Sequence, residues 1–490
     1  MMKVFLNSPG FSYDVHSLVK AFYPAKDVKI ELFEEGLPKG EFCVYVSSGD
    51  AKRDQFSSGT VRISAPYTNG DISEEEDYDL LSRAELKNLV KRALYRVLCR
   101  LTGKELPWGT MTGIRPVKVP MKLYRQGAND NKIAEYMKSV YLCSDEKIAL
   151  ATDIAKKEAG IIDRISDNGF SLYIGIPFCP TTCMYCSFTS YPIVSWEKRT
   201  DEYIAVLKRE LDMFAGYYEK RCPDSIYIGG GTPTTLSPKQ LGDIISYVAK
   251  RFDLSKLLEF TVEAGRPDSI TKEKLGVLKS SGVGRISINP QTMNEKTLRL
   301  IGRRHSVEDV YKAFDLAREA GFTNINTDLI LGLPGEDEND VSNTFDKIKQ
   351  LAPDSITVHS LAIKRAAAMN SFLSEHDDII SQNTPKMMET ARRCAESLGM
   401  EPYYLYRQKN MSGNFENVGY AKPGCFGIYN IVIMEEVSDI AAAGAGTISK
   451  RVFASDRIER TDNVKDVALY IDRIEEMIDK KKKLFCKGET

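Results

Sequence analysis

From residue 171 to residue 361 the chain alternates β-type runs with helical stretches, and no other feature restricts its fold as much. The β-type runs are 172–176, 225–228, 259–263, 285–289, 324–331 and 355–361, and helical spacing occupies 197–218, 238–252, 295–301, 307–320 and 340–351 between them. Two consecutive strands can pair in parallel only if the chain crosses back, and a helix is the usual crossover. Six strands linked by helices therefore predict an α/β fold built as a partial (β/α)6 barrel. Barrels of this kind gather their chemistry at the C-terminal ends of the strands, so those ends supply the candidate residues.

The first strand runs through Tyr173-Ile174-Gly175-Ile176-Pro177-Phe178 into Cys179-Pro180-Thr181-Thr182-Cys183-Met184-Tyr185-Cys186, three thiols spaced C-x3-C-x2-C. Soft thiolates select iron–sulfur clusters, zinc or copper(I) over hard cations. An iron–sulfur cube has four irons, so a loop with three cysteines leaves one iron open to a ligand from outside. Zinc would need a fourth protein ligand, yet the next cysteine is Cys222 and the whole chain has four histidines. The preferred reading is an open [4Fe-4S] site on Cys179, Cys183 and Cys186, with a structural zinc site as its competitor.

The second strand ends in Gly229-Gly230-Gly231-Thr232-Pro233-Thr234, where the lack of Cβ atoms lets backbone groups approach a ligand. By itself that run reads equally well as a tight turn. Glu263 closes the third strand, as half of an ion pair or as a ligand for a sugar hydroxyl. Gln291 follows the fourth in Arg285-Ile286-Ser287-Ile288-Asn289-Pro290-Gln291-Thr292, Arg303 lies in Ile301-Gly302-Arg303-Arg304-His305, and Asp328 sits on the fifth.

The cysteine spacing, with aromatic Tyr185 before its last thiol, resembles the radical S-adenosylmethionine (SAM) superfamily. The longer string Y-I-x-I-P-F-C-x3-C-x-Y-C-x-F resembles its oxygen-independent coproporphyrinogen oxidase branch, which also includes haem chaperones. The resemblance implies a [4Fe-4S] cluster with SAM on its open iron. It implies that Gly230, Gly231 and Thr232 hold the cofactor's amino group, that Arg303 faces its carboxylate, that Glu263 takes a sugar hydroxyl and that Asp328 binds adenosine. Ile448, in Ala443-Gly444-Ala445-Gly446-Thr447-Ile448-Ser449, would pack on adenine, and Tyr173, Tyr185 and Gln291 complete the cofactor-binding set. The implied chemistry is a 5′-deoxyadenosyl radical that takes hydrogen from a propionate of coproporphyrinogen III. Loss of an electron and carbon dioxide leaves a vinyl group, and two rounds give protoporphyrinogen IX, a step of haem synthesis.

Three positions depart from the branch. Asn289 stands where a glycine is usual, Phe188 where the oxidases have a fourth cysteine, and Gly175 where they have histidine. Phe188 is shared with the haem chaperones, which carry H-N-x-x-Y-W soon after an A-x-P-G turn. Here Ala421-Lys422-Pro423-Gly424 is followed by Tyr429-Asn430-Ile431-Val432-Ile433-Met434, without the haem-ligating histidine. The long N-terminal segment, the loop Pro107-Trp108-Gly109-Thr110-Met111-Thr112-Gly113-Ile114-Arg115-Pro116 and the string from Pro402 to Met411 resemble the coproporphyrinogen dehydrogenase (HemZ) group. The expectation is a radical SAM oxidoreductase acting on a porphyrinogen with a low-potential electron donor. A haem-binding chaperone, another radical reaction on a tetrapyrrole and a non-catalytic zinc protein are the alternatives.

The remaining sequence sets the frame. The expected domains are 1–165, an α/β and helical extension; 166–400, the barrel; and 401–490, an α+β region completing the site. Strands are expected at 3–6, 28–33, 42–47 and 60–65, and helices at 15–22, 80–101 and 132–162. Glu74-Glu75-Glu76-Asp77 reads as a solvated turn or helix start, and Lys480 to Lys483 as a solvated helix end. The loop from Pro107 to Pro116 would dock two domains or cover the active site. The segment from Tyr403 to Met411 is either a porphyrinogen-binding face or an amphipathic strand. A net charge of −1 favours neither nucleic acid nor anionic membrane, and no run reaches the roughly eighteen apolar residues of a membrane helix. Ten cysteines without framework spacing fit a reducing, cytoplasmic location.

Overall fold

A computed structural model describes residues 1–24, 26–34, 40–47, 55–68, 70–362, 369, 372, 381–408, 415–453 and 457–486. The chain forms two compact units, Met1–Lys156 with Arg407–Asn410, and Lys157–Tyr406 with Met411–Thr490. The division falls within the helix Asp145–Ile162.

In the first unit a five-stranded sheet has the order Val28–Leu32, Met2–Leu6, Cys43–Val46, Gly59–Tyr67, Gly70–Tyr78. Val15, Leu18 and Val19 of the helix Ser12–Phe22 and Leu86, Val90, Leu94 and Val97 of the helix Arg83–Thr102 share its core. The acidic run corrects the sequence reading: Glu74 to Asp77 lie in the outer strand, not in a turn. Glu75 pairs with Arg62 at 2.7 Å across the sheet, and Arg96 and Arg100 of the long helix meet Glu74 and Glu76. Cross-strand charge pairing overrides the low strand preference of these residues.

The stretch expected as one helix at 132–162 is two, Asp130–Tyr141 and Asp145–Ile162, broken where Leu142 takes φ 57°. The Trp108 loop packs against that break: Thr110 N–H donates to the Tyr141 carbonyl at 2.7 Å, and Trp108 is buried. A Cβ on Gly109 would lie 2.0 Å from that same carbonyl oxygen, so only glycine fits. Arg407 secures the loop's other half through the Met111 carbonyl at 2.6 Å.

The second unit is built on an eleven-stranded sheet. Its centre is a row of parallel strands: a first (Phe170–Ile176), second (Pro223–Gly230), third (Glu259–Glu263), fourth (Arg285–Ser287), fifth (Ile325–Leu331) and sixth (Ser355–Ser360). This is the expected partial barrel. A seventh parallel strand, Asp439–Ala443, pairs beside the first; the sequence reading missed it, because Asp-Ile-Ala-Ala-Ala carries little strand preference. Antiparallel strands extend both edges, Asn417–Ala421 and Glu401–Tyr406 beyond the sixth and Ile448–Val452 and Ile458–Asp462 beyond the seventh. The run from Tyr403 is thus a strand as far as Tyr406, with Tyr403 and Tyr404 buried; Lys409, Asn410 and Met411 lie outside the described residues.

Side chains alternate along these strands. Leu172, Ile174, Ile226, Ile228, Phe260, Val262, Ile286, Ile356 and Val358 are buried on one face. The other face carries Tyr173, Tyr227, Arg285, Ser287, Asn326, Asp328, Thr357 and His359. Arg285 on the fourth strand reaches Ser355 on the sixth at 3.1 Å, so the polar face is the concave one. On the side of the fourth to sixth strands the barrel interior carries a hydrogen-bonded network.

Candidate active site

The cysteine loop is closed at its base by a short parallel pairing of Phe178–Cys179 with Tyr191–Pro192. Within it, the Cys179 sulfur lies 3.5 Å from the Thr232 hydroxyl, Cys183 takes Arg266 Nη1 at 3.7 Å, and Cys186 lies 3.6 Å from the Ser190 hydroxyl. Burial pushes the Cys179 thiol up to about 11, with the Thr232 hydrogen bond opposing it and the other two cysteines adding to the rise. Among the described residues, however, no three His, Cys, Asp or Glu side chains are grouped to hold a single metal ion. Phe188 projects to solvent, 73% exposed.

The glycine run has a structural reason beside any ligand. Gly231 N–H donates to the Ile176 carbonyl at 2.8 Å and Thr232 N–H to the Phe178 carbonyl at 2.7 Å, which stitches the second strand to the cysteine loop. A Cβ on Gly231 would sit 2.6 Å from the Phe178 oxygen, and Gly230 has φ 108°. Glu263 accepts from the Tyr227 hydroxyl at 2.7 Å. Burial raises its carboxyl to about 7, against that hydrogen bond and one from Gly230 N–H.

Arg303 is buried and bridges two elements: its Nε donates to the Tyr185 hydroxyl at 3.2 Å and its Nη1 to the Asn289 carbonyl. Asn289 holds the fourth and fifth strands together in turn, its Oδ1 accepting from Asp328 N–H at 3.1 Å. The left-handed backbone falls on Gln291, φ 73°, whose N–H donates to the Asp328 carbonyl at 3.1 Å. Its Oε1 is buried without a hydrogen-bond partner. Burial opposes ionisation of Asp328, but the His359 imidazole beside it and the hydrogen bond from Asn326 outweigh it and hold this carboxyl below the usual range.

Tyr173 and Tyr227 stack in the interior with Tyr429 of the helix Ile428–Glu435, Tyr227 and Tyr429 at 4.7 Å between centroids. Glu259 caps that helix, accepting from Ile428 N–H at 2.6 Å. Ile448 is 52% exposed and begins the strand after the Gly444 to Thr447 loop. Thr447 fills the space above Gly175, where an added Cβ would meet its Cγ2 at 2.6 Å.

Several participants are invisible to local sequence reading. Arg266 is buried beside the cysteine loop, forked onto Asp268 and donating to Thr181 at 3.1 Å. Tyr203 clips the first strand to the Gly/Ala loop, donating to the Gly175 carbonyl at 2.7 Å and accepting from Ala445 N–H at 3.1 Å. Lys481 corrects the expectation of a solvated lysine run: it is fully buried and paired with Glu210, which also accepts from Gly444 N–H and the Tyr470 hydroxyl.

Residues 173–348 match the Radical SAM superfamily model. A Bacillus subtilis protein described as oxygen-independent coproporphyrinogen-III oxidase-like protein HemZ is 37% identical over 89% of this chain and 86% of its own length. The chain belongs to the radical SAM superfamily, with the HemZ-type proteins. The heme chaperone HemW of Bacillus subtilis is 34% identical to this radical SAM protein, over 62% of this chain and 76% of that one. The coproporphyrinogen III oxidase HemN of Escherichia coli shares the fold, with a TM-score of 0.52 and 22% identity over 65% of this chain and 72% of that one. Among the described residues no helix is long and apolar enough to cross a membrane.

Proposed function

We propose that this protein carries out the oxygen-independent oxidative decarboxylation of coproporphyrinogen III to protoporphyrinogen IX, as a radical SAM oxidoreductase of cytoplasmic haem synthesis. The observation that carries the reading is the convergence of three thiols with Thr232, Arg266, Arg303 and Tyr185 at the C-terminal ends of one set of barrel strands.

The donor set fits a cluster. Soft thiolates suit iron–sulfur chemistry, and the Cys183 sulfur accepts from the buried Arg266 guanidinium at 3.7 Å. A cube spreads its ligands over separate irons. Cys179, Cys183 and Cys186 would hold it, and Arg266 would offset the negative charge that three thiolates bring. When bound, a reduced [4Fe-4S] cluster supplies the electron that cleaves SAM to a 5′-deoxyadenosyl radical. The chain's own residues orient that cofactor. Arg303 would face its carboxylate, Gly230, Gly231 and Thr232 its amino group, Glu263, Gln291 and Asp328 the nucleoside, and Ile448 the adenine. Tyr173 and Tyr185 would line the site.

The second reading, a haem chaperone, draws support from the likeness to HemW and from Phe188. Tyr429 speaks against it: the position of the chaperones' haem-ligating histidine is taken by a tyrosine buried in the interior stack. The two readings part in one experiment. The anaerobically reconstituted protein is offered haem, and separately coproporphyrinogen III with SAM and dithionite; consumption of the porphyrinogen without stoichiometric haem retention supports the enzyme, and the reverse supports the chaperone.

A further inference from the structure

The three cysteines of the loop are unequal. Cys179 meets the Thr232 hydroxyl and Cys186 the Ser190 hydroxyl, whereas Cys183 meets a cation, Arg266 Nη1 at 3.7 Å. Arg266 follows the third strand through Ala264 and Gly265, and the short turn Pro267–Ser269 holds its backbone: the Arg266 carbonyl accepts from Ser269 N–H at 3.0 Å and from the Ser269 hydroxyl at 2.7 Å. The guanidinium faces two ways. Nε donates to Asp268 Oδ1 at 3.0 Å and Nη2 to Oδ2 at 2.8 Å, while Nη1 divides its two hydrogens between the Thr181 hydroxyl at 3.1 Å and the Cys183 sulfur.

Two opposite charges thus stand at unequal distances from one sulfur. Arg266 touches it and is 3% exposed, so solvent screens the cation little; Asp268 holds the opposite edge of the guanidinium and is 23% exposed. Arg303 also senses the Cys183 thiolate, but its Nε and Nη1 are taken up by Tyr185 and the Asn289 carbonyl. A thiolate that accepts a hydrogen bond from a cation gives less electron density to its iron, and net charge and hydrogen bonds to the sulfurs set a cluster's potential. Arg266 therefore favours an added electron. Asp268 acts in the opposite sense and partly cancels it.

We propose that Arg266 and Asp268 together set the reduction potential of the cluster through Cys183, the arginine raising it and the aspartate lowering it. This rests on the reading that the three cysteines hold a [4Fe-4S] cluster; it does not depend on the tetrapyrrole substrate. Arg266 is a positioning residue, acting on the cluster only through the sulfur it touches. Its fork with Asp268 gives the site two handles of opposite sign on one quantity.

The test is an anaerobic redox titration of the full-length, reconstituted protein without SAM, at one pH and one salt concentration. Electron paramagnetic resonance follows the reduced cluster in wild type, R266M, R266K and D268N. At the potential where the wild-type cluster is half reduced, R266M should lower the reduced-to-oxidised ratio about tenfold, equal to about 59 mV for one electron, and D268N should raise it severalfold. R266K, which keeps the charge without the fork, should fall between R266M and wild type. A merely structural role would loosen the loop in every variant and move the ratio in one direction. R266M and D268N shifting it the same way, or neither shifting it, would therefore overturn the proposal. Should R266M fail to take up iron, D268N decides: a raised ratio upholds the proposal, and an unchanged or lowered one overturns it. A wild type that takes up no cluster would overturn the cluster reading itself, a result distinct from the others.

Discussion

Arg303 Nε donates to the Tyr185 hydroxyl at 3.2 Å, and the same guanidinium reaches the carbonyl of Asn289. One buried side chain thereby fastens the cysteine loop to the end of the fourth strand, and Asn289 passes the connection to Asp328 on the fifth. The geometry of the loop and that of Asp328 on the fifth strand are set by one chain of hydrogen bonds.

Arg303→Lys keeps the charge but cannot span both acceptors, because a lysine offers a point charge where arginine offers a fork. The variant should retain iron after reconstitution and bind S-adenosylhomocysteine at least tenfold more weakly. Iron analysis with titration checks it; unchanged affinity would remove Arg303 from the cofactor site.

Gly175 and Thr447 share one space, with 2.6 Å between a built Cβ and Cγ2. Gly175→Ala should cost about 1–3 kcal/mol of stability from overpacking. Adding Thr447→Ser, which removes the methyl and keeps the hydroxyl that donates to the Gly444 carbonyl at 2.8 Å, should return most of it in urea unfolding.

Lys481 and Glu210 form a fully buried pair that anchors Gly444 N–H. Lys481→Met leaves a buried carboxylate without its cation, an alteration worth about 3–5 kcal/mol. Hydrogen exchange should rise first in the Gly444 to Ile448 loop, since Glu210 holds that backbone directly.

Glu263 makes stability depend on pH. Its carboxyl is raised to about 7 by burial, so the folded state binds the proton more tightly than the unfolded chain. The stabilisation is complete below the ordinary glutamate range, near pH 4.5, and is lost as pH rises through about 7. The full span is at most about 3 kcal/mol. Glu263→Gln in the metal-free protein should flatten the fall in melting temperature between pH 5 and pH 8; an unchanged slope would show that other groups carry it.

The six-strand alternation and the cysteine loop are legible because both are local: one is a period, the other a spacing. The residues that complete the site are not local. Arg266, Tyr203 and Lys481 look like ordinary helix or turn residues until the fold brings Cys183, Gly175 and Glu210 to them. The seventh strand was hidden for a similar reason, since three alanines become a strand by pairing beside Leu172 and Tyr173. Glu74 to Asp77 misled because their partners, Arg62, Arg96 and Arg100, lie elsewhere in the chain. Asn289 in the place of a glycine proves tolerable because the left-handed residue is Gln291.

The central claim is tested most directly by anaerobic turnover of coproporphyrinogen III by the reconstituted, reduced protein with SAM, with 5′-deoxyadenosine and tetrapyrrole products quantified together by mass spectrometry. The account predicts loss of carbon dioxide masses matched by deoxyadenosine, abolished in Cys183→Ala. Deoxyadenosine formed while the porphyrinogen stays intact would contradict the substrate, and no deoxyadenosine at all would contradict the radical chemistry itself.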